Sequence, residues 1–211
     1  SNEETPNKEI TKEKQALVHI KEGRLKQAED LYRELIKQGT NNHIVYGNLA
    51  AICALQGKNK EIIKLLKHAL QIKPDYSEAH NNLGIALKNT GDLDSAIACY
   101  GKAIIFNPNY PDAYFNLATA YLKQNNLNEA IDNFKKAIEL NPKYTDAYNN
   151  LGITLKKKGE FDDGLSCFQQ VLKFNPNSSE AHYNIGNTQK EQGHLEAAIN
   201  SYHKAIRINP K

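Results

Sequence analysis

The chain has 211 residues, of which 40% are hydrophobic and 24% are charged, and its formal net charge is +3. This charge is weaker than that of a dedicated nucleic-acid-binding protein, so we expect no nucleic-acid partner. No segment approaches the roughly 18 consecutive apolar residues of a membrane span, and we therefore expect no membrane partner.

The first segment, residues 1–8, is polar and is predicted to be disordered, and Ser1 and Asn2 resemble the scar left by a cleavage. No capping helix follows the last repeat, so we expect a piece of a longer protein. The chain has no signal-peptide core, and its three cysteines are far apart without metal-binding spacing; they are Cys53, Cys99 and Cys167. These features predict free thiols and a cytoplasmic location.

Five prolines recur at a fixed interval of 34 residues: Pro74, Pro108, Pro142, Pro176 and Pro210. A period of this size is typical of one supersecondary unit copied along the chain. With each proline at position 32, the predicted repeats are 9–42, 43–76, 77–110, 111–144, 145–178 and 179–211. The first repeat carries Thr40 in the proline position.

Each repeat is predicted to be a pair of helices. Small and large residues alternate with helical spacing, as in Ala96, Tyr100 and Ala103. Glycine, or Asn125 in one repeat, occupies position 15, where a left-handed residue would end the first helix. Gly164 lies inside a predicted helix at a cost of about 1 kcal/mol relative to alanine, so we expect 145–178 to be the least stable full repeat.

These residues closely resemble the tetratricopeptide repeat family over residues 9–211. The resemblance implies an all-α fold, a right-handed superhelical solenoid of antiparallel helix pairs with about six repeats, whose first helices line a concave groove. The tryptophan that the family carries at position 4 is replaced by Tyr46, His80, Tyr114, Tyr148 and His182. We expect these rings to pack between helices.

Motifs of enzymes are missing from the sequence, which has no GxSxG, P-loop, HExxH or dinucleotide-binding fingerprint. The two histidines at position 4 are three repeats apart and could not share one metal ion. We therefore predict no enzymatic activity, no catalytic residue, no metal site and no cofactor.

Two polar rows recur where packing does not require them. The asparagine row, at position 6, consists of Asn48, Asn82, Asn116, Asn150 and Asn184. The acidic row, at position 2, consists of Glu78, Asp112, Asp146 and Glu180. Residues four apart share a helix face, so each acid lies beside an asparagine. The side-chain amides of the asparagine row can pair with the backbone of a bound peptide. Alternatively, the acids only compensate the helix dipole, and the asparagines only bridge neighbouring helices.

Both rows resemble the repeat superhelix of O-linked N-acetylglucosamine transferases. The resemblance implies that the asparagine row holds the backbone of a substrate peptide and that the acidic row tunes its selection. The pattern is absent from the first repeat, where Lys14 holds position 6, and Ile44 holds position 2 of the second repeat. The catalytic domain of that family is not present in this chain.

Two other binding modes are less consistent with the sequence. The carboxylate clamp of chaperone-binding repeats needs basic groove residues, whereas position 2 is acidic here. Lysines near the ends of the first helices are more consistent with solvated surface than with a phosphate track; they are Lys88, Lys123, Lys156, Lys157 and Lys190.

The first functional hypothesis is a scaffold that binds extended protein or peptide segments, as the substrate-recruiting region of a larger enzyme such as a glycosyltransferase or another transferase. The alternative is an assembly module that self-associates through its convex face or its uncapped ends. The surface expected at the C-terminal end lies around Ala198, Tyr202 and Ala205.

Overall fold

The computed structural model describes the backbone of residues 4–210 and the side chains of residues 10–210. Within this range the regular secondary structure is helical, and twelve helices follow one another in pairs, joined by short turns. They form two compact units, residues 1–108 and residues 109–211, and each unit contains three helix pairs. The predicted all-α fold of helix pairs is confirmed.

The first unit contains three helix pairs with a short turn inside each pair. Its helices are α1 (Glu4–Lys21), α2 (Leu25–Lys37), α3 (His43–Leu55), α4 (Asn59–Ile72), α5 (Ser77–Asn89) and α6 (Leu93–Phe106). Because α1 begins at Glu4, residues 4–8 are helical and not disordered as predicted. Pro6 is compatible with this helix, since the first turn has no internal partner for a backbone N–H. Residues 1–3 lie outside the described residues.

The second unit repeats the same arrangement. Its helices are α7 (Pro111–Lys123), α8 (Leu127–Leu140), α9 (Thr145–Lys158), α10 (Phe161–Phe174), α11 (Ser179–Glu191) and α12 (Leu195–Ile208). Each helix packs against its partner in the pair, and α9 also contacts the two other first helices, α7 and α11. The first helices of this unit are therefore neighbours.

The turn inside each pair has the left-handed residue that the sequence predicts at position 15. The backbone φ angle is positive at Gly23, Gly57, Gly91, Asn125, Gly159 and Gly193. Asn125 has φ of 64°, a conformation that asparagine tolerates better than other residues with a Cβ atom. A second helix ends two residues before each proline of the period, as α4 ends at Ile72 before Pro74.

Packing within a pair brings a small residue of the first helix against a ring of the second. A Cβ atom added at Gly84 would lie 2.6 Å from Cε1 of Tyr100, and one at Gly152 would lie 2.6 Å from Cε1 of Phe168. Both rings are fully buried. Glycine at position 8 thus lets the aromatic residue at position 24 lie directly on the backbone of the first helix.

Gly164 has a packing role that its sequence context did not reveal. An added Cβ would lie 3.0 Å from the carbonyl oxygen of Gly152. The buried glycine therefore lets α10 approach the backbone of α9 closely. The expected lower stability of repeat 145–178 stays a prediction, because this close contact acts against the cost of a helical glycine.

Two of the rings at position 4 form hydrogen bonds to the end of the preceding repeat. Tyr46 Oη donates to the carbonyl oxygen of Thr40 at 3.3 Å, and His80 Nε2 lies 2.8 Å from that of Pro74. Because a carbonyl only accepts, Nε2 of His80 carries the proton. Burial lowers the pKa of His80 and of His182, so both imidazoles stay neutral near pH 7. The predicted packing role is confirmed for Tyr46 and His80.

The last helix exposes a different apolar face from the one that the sequence suggested. Ala198 and Ala205 are buried and Tyr202 is half-buried, with its hydroxyl donating to Oδ1 of Asn187 at 2.8 Å. This face packs on α11 of the same pair, which corrects the predicted surface. The exposed apolar residues of α12 include Leu195, Ile199 and Ile206.

Candidate peptide-binding face

The asparagine row lies on the first helices, and each acid of the acidic row lies one turn before an asparagine. Asn48 is on α3 and Asn82 on α5, in the first unit; Asn116, Asn150 and Asn184 are on α7, α9 and α11, in the second. Asn82 is exposed and the other four are half-buried. We use the term first-helix face for the surface of each unit that carries these two rows.

Asn48 is held by a hydrogen bond inside the first unit. Its Nδ2 donates to the hydroxyl oxygen of Tyr32 at 3.0 Å. Tyr32 is the aromatic residue at position 24 of the preceding repeat, and it is fully buried. Asn48 therefore bridges two neighbouring repeats and satisfies a buried phenol, as the bridging alternative requires.

Asn82 and Asn150 have no such partner. Among the described residues, neither side-chain amide makes a hydrogen bond. The residue at position 24 of the repeat before Asn82 is Leu66, and the one before Asn150 is Phe134. Neither has a hydroxyl, so the contact that holds Asn48 cannot form. Leu66 and Phe134 therefore cannot hold the next asparagine as Tyr32 does. A hydroxyl at position 24 does not by itself decide the state of the next asparagine, because the buried hydroxyl of Tyr100 has no hydrogen-bond partner among the described residues.

Asn184 belongs to a small polar network in the second unit. Its Nδ2 donates to Oδ1 of Asn149 at 2.9 Å, and Nδ2 of Asn149 donates to Oε1 of Glu180 at 2.6 Å. Asn149 lies at position 5 and was not among the predicted site residues. The signal for it was available, since an amide beside the asparagine row can join two neighbouring first helices.

The four carboxylates of the acidic row are exposed but differ in their partners. Asp112 Oδ1 accepts a hydrogen bond from the hydroxyl of Tyr144 at 2.8 Å, and Glu78 accepts one from Ser77 at 3.0 Å. Burial and the bond to Asp112 raise the pKa of Tyr144, which stays a phenol donor. Asp146 makes no hydrogen bond or ion pair within the described residues. Three of the acids therefore have a structural contact, and Asp146 is available.

The lysines near the ends of the first helices do not form a free basic track. Lys156 Nζ lies 3.0 Å from Oε1 of Glu191, which joins α9 to α11. Lys123, Lys157 and Lys190 are exposed. Glu191 places a negative charge beside Lys156, which agrees with the interpretation of these lysines as solvated surface and not as a phosphate track.

Residues suited to other chemistry are dispersed. No group of three or more histidine, cysteine or acidic side chains suited to a metal ion occurs among the described residues. The three cysteines are free thiols, and burial raises the pKa of Cys167 to about 11. None of the described helices is long and apolar enough to cross a membrane.

Family models match most of the chain. A model described as TPR repeat matches residues 86–125 and again residues 118–159. Models described as tetratricopeptide repeat match residues 42–105, 145–178 and 179–211. The chain belongs to the tetratricopeptide repeat (TPR) family. A model described as PPR repeat matches residues 18–40, in the first repeat.

Solved TPR structures resemble the chain over most of its length. A crystal structure of MamA matches with a TM-score of 0.71 at 25% identity, and the match covers 74% of this chain and 92% of the MamA chain. The crystal structure of YrrB, a TPR protein with an unusual peptide-binding site, matches with a TM-score of 0.73 at 24% identity. This match covers 85% of this chain and 93% of the YrrB chain. These likenesses support the TPR fold.

Curated relatives match only short parts of the TPR chain. The heat shock protein sti1 homolog of Schizosaccharomyces pombe is 32% identical over 75 residues, which are 36% of this chain and 13% of the relative. The Hsp70-Hsp90 organizing protein of Triticum aestivum is 29% identical over 80 residues, 38% of this chain and 14% of the relative. The chain spans about one seventh of the relatives it matches.

Proposed function

We propose that this TPR chain is a protein-interaction scaffold, not an enzyme, and that it binds extended polypeptide on the first-helix face of its units. The observation that carries the proposal is the pair of unbonded amides, Asn82 and Asn150. Asparagine is a poor helix former, so propensity gives no reason for it in the middle of α5 and α9. Neither amide has a hydrogen-bond partner among the described residues that would explain it instead.

A peptide backbone is the ligand that best matches a free amide. The amide offers a donor and an acceptor side by side, and a backbone offers the complementary C=O and N–H. Two such hydrogen bonds contribute about 1–3 kcal/mol together, or roughly a five- to 150-fold change in affinity. Recognition of this kind depends little on the side chains of the ligand, as a scaffold with several partners requires.

The acids beside the amides favour basic or hydroxylated segments. On α9, Asp146 lies one turn before Asn150 and has no hydrogen bond of its own among the described residues. A lysine, arginine or serine next to the bound backbone segment could donate to it. Because the acidic row repels negative charge, an acidic peptide that ends in a free carboxylate should bind this face weakly.

The test uses a positional-scanning library of blocked decapeptides, with binding followed by fluorescence anisotropy. The Asn82→Ala/Asn150→Ala variant should bind the preferred pools at least about tenfold more weakly, with an unchanged urea midpoint. Peptides N-methylated at alternate residues should lose affinity to a similar degree. Equal binding by the variant, or by the N-methylated peptides, would contradict backbone recognition.

A second variant keeps Asn150 and offers its side-chain amide a hydrogen-bond partner within the protein. Phe134→Tyr places a hydroxyl at the position from which Tyr32 reaches Asn48. Tyrosine occurs at position 24 in three other repeats, so the core accepts it. We expect Phe134→Tyr to weaken peptide binding as Asn150→Ala does. If its affinity stays at the wild-type level while Asn150→Ala weakens binding, the explanation of why Asn150 is free is wrong.

Self-association remains the second candidate function. The exposed residues of α12, namely Leu195, Ile199 and Ile206, form an apolar strip that favours it. Light scattering over a range of concentrations should then show a mass above the monomer, and Ile199→Asp/Ile206→Asp should return it to the monomer. The two rows support a role as the substrate-recruiting part of a larger transferase. The three free thiols support a location in the cytoplasm.

A further inference from the structure

A pocket of about 310 Å³ opens beside Asn82 in the first unit. Its wall is apolar and comes from three helices, α3, α4 and α5. The apolar lining includes Ala50, Ala51, Ala54, Ile62, Leu66 and Ile85. Asn59, Asn82 and Asn89 are its polar lining residues, and no charged residue lines it.

The pocket exists because the second repeat departs from the others at two positions. Position 24 is Leu66 here and a fully buried ring, such as Phe134, in other repeats. Position 12 is Ala54, where the fourth repeat has Leu122. Both departures remove side-chain volume from the same place. The larger Ile62 restores only part of it, since the space beside Leu66 stays open.

We infer that this pocket, termed the Leu66 pocket, binds one branched aliphatic side chain, of leucine or isoleucine, from a polypeptide whose backbone pairs with Asn82. The inference rests on the proposed function, because it assigns a side-chain class to a ligand of the same face. The combination of an apolar wall with amide groups at its edge matches one residue of an extended chain, which has an apolar side chain and polar peptide groups.

The charges and the size of the pocket narrow the occupant further. An uncharged lining leaves a buried lysine or carboxylate of the ligand without an ion partner, which disfavours it. The volume is at the lower limit of small-ligand sites, so it suits one side chain and not a cofactor. A larger cavity of about 710 Å³ in the same unit is lined by charged residues, among them Arg33, Lys37 and Glu61, and so lacks the uncharged lining of this pocket.

The test uses N-acetyl-leucine N-methylamide, a single blocked residue, added to the whole chain and followed by NMR. Methyl resonances of Leu66 and Ile85 should shift, with a dissociation constant in the millimolar range. The alanine analogue should bind about ten- to fiftyfold more weakly, because its side chain buries three fewer carbon atoms. The lysine analogue should also bind at least about tenfold more weakly.

Ala54→Leu should fill the pocket with a residue that the fourth repeat already carries, and it should weaken binding of the leucine probe at least about tenfold. Lys60→Leu, an exposed substitution outside the pocket, is the matched control and should bind as the wild type does. Leu66→Phe fills the same space from α4 and gives a second test if Ala54→Leu fails to fold.

Three results would overturn the inference. They are no shift at about 50 mM probe, equal binding by wild type and folded pocket-filled variants, and equal binding of the alanine or lysine analogue. The probe experiment involves no peptide, so it can fail or succeed separately from the library experiment. Leucine binding together with unchanged library affinity in Asn82→Ala/Asn150→Ala would refute the proposed backbone recognition and leave the Leu66 pocket standing.

Discussion

Asn48 and Asn150 occupy the same repeat position, yet their replacement by alanine should affect stability differently. Asn48→Ala leaves the buried hydroxyl of Tyr32 without its 3.0 Å hydrogen bond. An unsatisfied buried group costs about 1–3 kcal/mol. Because Asn48 is half-buried, water can reach part of the site, and the better helix propensity of alanine returns about 0.5 kcal/mol. We expect a net loss of about 1 kcal/mol.

Urea unfolding followed by far-UV circular dichroism measures this difference. The net loss for Asn48→Ala corresponds to a midpoint lower by about 0.5 M, whereas Asn150→Ala should leave the midpoint unchanged or slightly raise it. Tyr32→Phe/Asn48→Ala removes both partners and should cost less than Asn48→Ala alone. Equal losses for Asn48→Ala and Asn150→Ala would refute the division of the asparagine row into bridging and free members.

Three further predictions follow from buried groups. The unfolding free energy should fall as pH drops below about 6.5, because histidines in the unfolded chain bind protons that folded His80 and His182 do not. The His80→Tyr/His182→Tyr variant should reduce this fall by up to about 1.4 kcal/mol per pH unit for each histidine. A pH profile that the variant leaves unchanged would contradict the prediction. Iodoacetamide at pH 8 should alkylate Cys167 about 100-fold more slowly than a thiol of pKa 9. The alkylation rate should keep rising with pH up to about 11, and a plateau near pH 9 would count against burial of the thiol. Amide hydrogen exchange should be faster in repeat 145–178, which contains Gly164, than in repeat 111–144, and maximal protection there would refute the prediction.

The helix pairs follow from local rules that the sequence displays openly. A left-handed residue is needed at the turn, and even the exception, Asn125, is the residue type that tolerates φ of 64°. The prolines mark where the second helices end, since their rings prevent continuation. Small residues opposite rings, such as Gly84 opposite Tyr100, indicate which faces meet. These features depend on residues within one repeat, which explains why they could be predicted.

The state of each asparagine could not be predicted in the same way, because it depends on contacts between repeats. Only the structure shows that Tyr32, at position 24, reaches Asn48 at position 6 of the next repeat, whereas the buried hydroxyl of Tyr100 has no partner among the described residues. The network of Asn149 with Glu180 likewise depends on how α9 and α11 lie beside each other. The same is true of α12, where helical spacing identified the face around Tyr202 but not which face stays exposed.

The most direct test of backbone recognition observes the amides themselves. In a spectrum of the ¹⁵N-labelled chain, the side-chain NH₂ resonances of Asn82 and Asn150 should shift when the preferred decapeptide pool is added. The NH₂ resonances of Asn48, whose amide is bonded to Tyr32, should stay in place. Peptide binding that leaves the resonances of Asn82 and Asn150 unmoved would contradict the proposed role of the free asparagines.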